Sequence, residues 1–218
     1  MAEMRTEEEQ IQAIKDWWKR NGSSLLLGIG AALAIVFGWQ AWQNYQAQQR
    51  AEAANQFASL LNAFSNQADE TRGETVAFVA KTLREDYPES VYAVYGNLIL
   101  ARQQLMEAAD AQAAMDSLKW ALEKTGENKA LALVVRNRLA RAQFSAGQYD
   151  EALSTIDAAG SAEAFDAIYS ELRGDILLAQ GNLEGAREAY LAAREQGQQG
   201  RSGVVEMKLA DLGVGEDA

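Results

Sequence analysis

No charged side chain occurs between Arg20 and Arg50. Within that window, Leu25 to Trp42 reads LLLGIGAALAIVFGWQAW and is apolar except for Gln40. As a helix it extends roughly 27 Å at about 1.5 Å per residue. That nearly matches the hydrocarbon core of a bilayer, about 30 Å thick. The stretch is apolar on every face, which fits neither an amphipathic surface helix nor one packed on a core along a single stripe.

The flanks support insertion. Trp17 and Trp18 precede the stretch, and Trp39, Trp42 and Tyr45 close it, at the two levels where aromatic rings meet lipid headgroups. Lys15, Lys19 and Arg20 crowd one end, against Arg50 beyond the other. The positive-inside rule therefore predicts three parts. Residues 1–22 form a cytoplasmic arm, 23–45 a single transmembrane helix, and 46–218 a domain on the far side, which is the periplasm if the host is a Gram-negative bacterium. A cleaved export signal would need small residues directly after the apolar run, where GWQAWQNY stands instead. The triplet AEA at Ala51–Ala53 lies too far downstream. Gly30, Ala34 and Gly38 recur every four residues and form a small-residue stripe, the expected contact for a second membrane helix. Glycine and alanine are also simply common in such segments.

Beyond the anchor the chain favours helices. Ala, Leu, Gln, Glu and Arg are abundant, Pro88 is the one proline, and β-branched residues are sparse. An all-α fold follows. Helical periodicity continues from Gln43 to about Gln67, with Phe57, Leu60, Leu61 and Phe64 on one face. The membrane helix is thus expected to run into the first helix of the soluble part. Asp69–Gly73 reads as a turn. A helix over about Glu74–Asp86 is stopped by Pro88, and Ser90 caps the next.

Two later segments repeat. LARAQFSAGQYDEALSTIDAA, Leu139–Ala159, and RGDILLAQGNLEGAREAYLAA, Arg173–Ala193, are offset by 34 residues, the period of the tetratricopeptide repeat. Gly147 aligns with Gly181, Ala152 with Ala186, Ile156 with Tyr190, and Ala159 with Ala193. Ala140 and Gly174 fall where the paired helices press together. Gly147 and Gly181 are expected to end the first helices in left-handed caps. A looser copy spans Tyr95–Glu127, a more divergent unit spans about Gln46–Tyr87, and Gly203–Leu212 reads as a closing helix. The predicted fold is a short tetratricopeptide-repeat-like α-solenoid of three to four helix pairs behind one N-terminal membrane helix. By likeness to repeat proteins, its concave face displays Arg102, Asn137, Arg141, Glu171 and Asp175 as partner-binding residues.

Catalysis finds little footing. The chain has neither cysteine nor histidine, which removes thiolate nucleophiles, the commonest general base and most transition-metal sites. Glu85/Asp86 and Asp150/Glu151 are sequence neighbours, and side chains one residue apart on a helix diverge by about 100°. They read as surface charge. Gly28–Gly30 lies in the membrane segment and cannot cradle a phosphate. No catalytic, cofactor or metal residue is predicted. The net charge is −11, from 20 basic and 31 acidic residues, and only four and five of these lie at or before Arg20. The acidic excess beyond the anchor disfavours a nucleic-acid backbone.

The arm EEEQIQAIKDWWKRNG, the membrane helix ending GWQAWQNY and the segment LRGDILLAQGNLEGAREAY together resemble the YfgM-type ancillary subunits of the bacterial SecYEG translocon. The likeness covers essentially the full chain. It implies a single-pass inner-membrane protein with a periplasmic repeat domain, associated with the translocon and with the membrane-anchored periplasmic chaperone PpiD. It further implies a role in passing nascent exported proteins to periplasmic chaperones, and a link to envelope stress through a cytoplasmic response regulator. It hands over no catalytic residue. Composition and spacing alone leave open a scaffold for another envelope complex, such as cell-wall synthesis or cytochrome maturation, or an unfamiliar carboxylate enzyme.

Overall fold

The computed structural model describes residues 7–66, 68–107, 109–160, 163–197 and 202–213, and among these all regular structure is helical. The α-helices are α1 Glu7–Ser65, α2 Arg72–Asp86, α3 Val91–Met106, α4 Ala111–Glu123, α5 Lys129–Ser145, α6 Tyr149–Asp157, α7 Asp166–Ala179, α8 Leu183–Gln196 and α9 Ser202–Asp211. The chain divides into two units, Met1–Glu52 and Ala53–Ala218.

In the first unit, α1 carries the apolar segment. It is the helix, among the described residues, long and apolar enough to cross a membrane. Leu27, Ile35, Val36 and Phe37 point outward, more than half exposed. A core helix of a soluble protein would bury such side chains, at about 1.5–3 kcal/mol each; here none of them has protein to bury against. Trp39 and Trp42 meet in a tilted ring contact, with centroids 5.1 Å apart. The helix passes without interruption through Asn21–Ser24, where the arm was expected to give way to the membrane helix. No proline stands there, and the serines alone are too weak a signal to break a helix.

The second unit is a ladder of helix pairs. Four buried clusters follow one another along the chain, each at one junction, the organisation of a solenoid in which every repeat contacts its neighbours. The first joins Ala53 and Leu60 of α1 to Val76, Ala80 and Leu83 of α2 and Ala93 of α3. The next joins Val94 and Ala101 of α3, Met115 and Leu118 of α4, and Val135 and Leu139 of α5. Ala140, Ile156, Leu172 and Ile176 bind α5, α6 and α7 together. Tyr190 and Ala193 of α8 meet Val205 and Leu209 of α9, so α9 is the closing helix expected from Gly203–Leu212.

The repeat extends to the hydrogen bonds that end its helices. Gly147 has φ +73° and Gly181 +79°. The amide of Gln148 donates to the Gln143 carbonyl and that of Gly147 to Phe144; one period later Asn182 donates to Leu177 and Gly181 to Leu178. Both are Schellman caps, which satisfy carbonyls otherwise left without partners. The small residue on each first helix is also explained. Ala140 is fully buried, and a Cβ on Gly174 would overlap the Tyr190 ring. Gly96 of α3 does the same service outside the 34-residue register, since a Cβ there would come 2.9 Å from Leu83 Cδ1. Ser90 caps α3, its hydroxyl accepting from the Tyr92 amide at 3.2 Å.

Candidate partner-binding groove

Helices α3 and α5 are the first helices of successive pairs, with α4 behind them. On α3, Leu98, Ala101, Arg102, Leu105 and Met106 follow the spacing of one helical stripe. On α5, Arg138, Arg141 and Ser145 do likewise. Together with Leu118 of α4 these residues line a groove of about 400 Å³. Ala101 and Leu118 are almost fully buried at its floor, whereas Met106 stands 78 % exposed at its lip.

Three arginines edge this apolar floor. The Arg102 guanidinium lies 5.2 Å from the centre of the Phe64 ring, a cation–π contact that holds the side chain while leaving its charge uncompensated. The Arg141 Nε donates to Asn137 Oδ1 at 3.2 Å. Arg138 is exposed. Among the described residues no ion pair joins any of the three to a carboxylate. Two of the five residues expected on the concave face, Arg102 and Arg141, thus line one groove. Asn137, half-buried, is held to Arg141 by that hydrogen bond, and among the described residues its amide nitrogen is buried without a partner.

The other two lie elsewhere. Glu171 and Asp175, one turn apart on α7, both accept from Lys208 of α9, at 2.8 and 2.6 Å. Their side chains are 16 % and 19 % exposed. The Tyr190 hydroxyl also donates to Asp175, at 2.8 Å, and the Lys208 ammonium sits 5.5 Å from the centre of the Tyr190 ring. Burial, the hydrogen bond to Asp175 and the two nearby carboxylates all raise the Tyr190 phenol above its ordinary pKa. Burial likewise pushes Tyr169 up to about 12, against the opposing pull of the Arg136 charge; its hydroxyl donates to the Leu133 carbonyl at 2.8 Å.

Two residues escaped the sequence reading. Arg138 carried a signal, since Arg138 and Arg141 are three apart in NRLARAQ and so share a helix face. Lys208 carried none: its partners are more than 30 residues away, beyond any local pattern. Gly30, Ala34 and Gly38 of the anchor keep their four-residue spacing along α1, and a Cβ on Gly30 or Gly38 would meet nothing within 4 Å. Among the described residues no group of three acids, histidines or cysteines could hold a metal ion.

Helix pairs stacked on a shared small-residue register, closed by a terminal helix, define a repeat scaffold. A profile of the tetratricopeptide repeat-like domain matches residues 15–214. The chain is similar to the ancillary SecYEG translocon subunit of Haemophilus influenzae, at 32 % identity over 97 % of this chain and 100 % of that one. The protein of the same description from Escherichia coli is 28 % identical over 95 % of this chain and 97 % of its own. That of Neisseria gonorrhoeae is 29 % identical over 97 % and 100 %. The chain belongs to this tetratricopeptide repeat-like family, the ancillary SecYEG translocon subunits.

Proposed function

We propose that the protein is a non-catalytic ancillary subunit of the SecYEG translocon, which tethers a repeat domain beside the channel and there binds chaperones or exported chains. The observation that carries this reading is the similarity to translocon subunits over nearly the full length of both chains, anchor included. The anchor crosses the inner membrane with residues 1–22 in the cytoplasm and 46–218 in the periplasm, an orientation supported by Lys15, Lys19 and Arg20 on the near flank. Gly30, Ala34 and Gly38 allow a neighbouring membrane helix to approach closely. Tethering raises the effective concentration of the repeat domain against whatever emerges from the channel, without any new contact.

In this reading the groove edged by Arg102 and Arg141 receives a partner's soluble segment, from the anchored chaperone PpiD or from an emerging chain. A cytoplasmic response regulator would meet the arm, which is the part on its side of the membrane. The test is purification of the tagged full chain from mildly solubilised native membranes. SecYEG subunits and PpiD should accompany it in constant ratio, and Gly30→Leu/Gly38→Leu should reduce the SecYEG yield. Recovery of a different envelope complex without SecYEG would refute the assignment. An alkaline phosphatase fused after Ala218 should be active; an inactive, stable fusion would reverse the topology.

A further inference from the structure

The groove has a chemistry of its own that narrows its occupant. It joins an apolar floor and three guanidinium groups that have no carboxylate partner among the described residues. The rest of the chain does not lack acids, since carboxylates outnumber basic residues by 31 to 20. Elsewhere in the second unit several cations find them, although Arg84, Lys119, Lys129, Arg136 and Arg187, which do not gather on one groove, pair with none among the described residues. Arg72 pairs with Glu107, Lys124 with Glu89, Arg173 with Asp157, and Lys208 with Glu171 and Asp175. Arg102, Arg138 and Arg141, three together on one groove, pair with no acid among the described residues. Arg102 rests on a phenyl ring and Arg141 on a neutral amide, contacts that position a guanidinium and leave its charge for something else.

We infer that the α3–α5 groove binds a peptide segment in which an apolar side chain is flanked by carboxylates. The apolar side chain enters between Leu98, Leu105 and Leu118, and Met106 adapts over it, as a flexible thioether does at binding surfaces that accept varied shapes. The flanking carboxylates meet Arg102 on one side and Arg138 and Arg141 on the other. This deepens the reading of the groove as the partner-binding site and rests on it. It also excludes occupants: a basic segment is repelled by three uncompensated charges, and a purely apolar one leaves the arginines unpaired under it.

The test uses the full chain in nanodiscs and a fluorescein-labelled, end-capped dodecapeptide of alternating glutamate and leucine. Its affinity is compared with that of three analogues, carrying glutamine or lysine for glutamate, or serine for leucine. The glutamate peptide should bind about tenfold or more tightly than each analogue, and more weakly as salt rises. Arg102→Gln/Arg138→Gln/Arg141→Gln should erase that preference, while the matching triple lysine variant retains part of it. Equal binding of the glutamate and glutamine peptides to the unaltered chain would overturn the inference, and needs no variant to fold. A charge preference that survives the triple glutamine variant would overturn it too. Co-purification of SecYEG reads the functional proposal separately. Failure of peptide selectivity with SecYEG still bound refutes the groove chemistry alone. Selectivity with SecYEG lost refutes the translocon assignment and leaves the groove standing.

Discussion

The two ends of the repeat unit treat charge in opposite ways. At α3 and α5, arginines on first helices stand over an apolar floor with no acid among the described residues to neutralise them. At α7, acids on the corresponding first helix are answered by Lys208 of α9 and by the Tyr190 hydroxyl. The sequence places charged residues on both faces in the same manner. What separates them is the next helix along: α9 brings a cation to α7, and nothing among the described residues brings an anion to the groove. A charged residue on the inner face of a repeat is therefore not a binding residue by virtue of its position. Its neighbour decides whether it holds the fold together or remains available.

If the α7–α9 end is structural, its alterations should cost stability and leave binding alone. The largest loss is expected for Tyr190→Ala. The ring is fully buried against Gly174 and α9, so truncation leaves a cavity and should cost about 3–5 kcal/mol in urea unfolding of the detergent-solubilised chain. Lys208→Met comes next. It leaves Glu171 and Asp175 without their shared cation, less than one-fifth exposed, and should cost at least about 1–3 kcal/mol, the range for leaving a buried polar group unsatisfied. A neutral result would mean that the acids are solvated after all and that this end is open like the other.

Alkaline pH probes Tyr190 at this end, together with Tyr169 at the junction of α5 and α7, with a smaller effect. Tyr169 has a folded-state pKa of about 12, above the unfolded value near 10, and Tyr190 is raised as well. Folding thus favours the protonated phenols. Their contribution is complete below about pH 10 and is lost as pH rises through 12. Urea midpoints should fall across that window, and Tyr190→Phe should flatten the fall. The smallest stability effects belong to the groove: Arg102→Ala, Arg138→Ala and Arg141→Ala should each shift unfolding by no more than about 0.5 kcal/mol. A larger shift at any of them would assign that arginine to the fold.

Much of this architecture was legible because it is written in local chemistry. The uncharged stretch before Arg50, the left-handed glycines Gly147 and Gly181, and the small residues Ala140 and Gly174 each state a constraint that one or two neighbours suffice to express. The membrane segment's passage into α2's partner helix was equally plain, because the period of Phe57, Leu60 and Phe64 never lapses. The fate of Glu171 and Asp175 was not. It depends on where α9 docks, which is set by Val205 and Leu209 meeting Tyr190 and Ala193, and the ion pairs follow from that packing. Arg138 required knowing that α3 and α5 leave a hollow between them.

The most direct test of the asymmetry is site-specific photo-crosslinking in native membranes. A photoreactive residue is placed at Arg141 in one strain and at Glu171 in another, and adducts with SecYEG subunits, PpiD and an exported substrate are probed by antibody. The account predicts adducts from position 141 and none from 171, at equal expression. Adducts from 171 matching or exceeding those from 141 would contradict it.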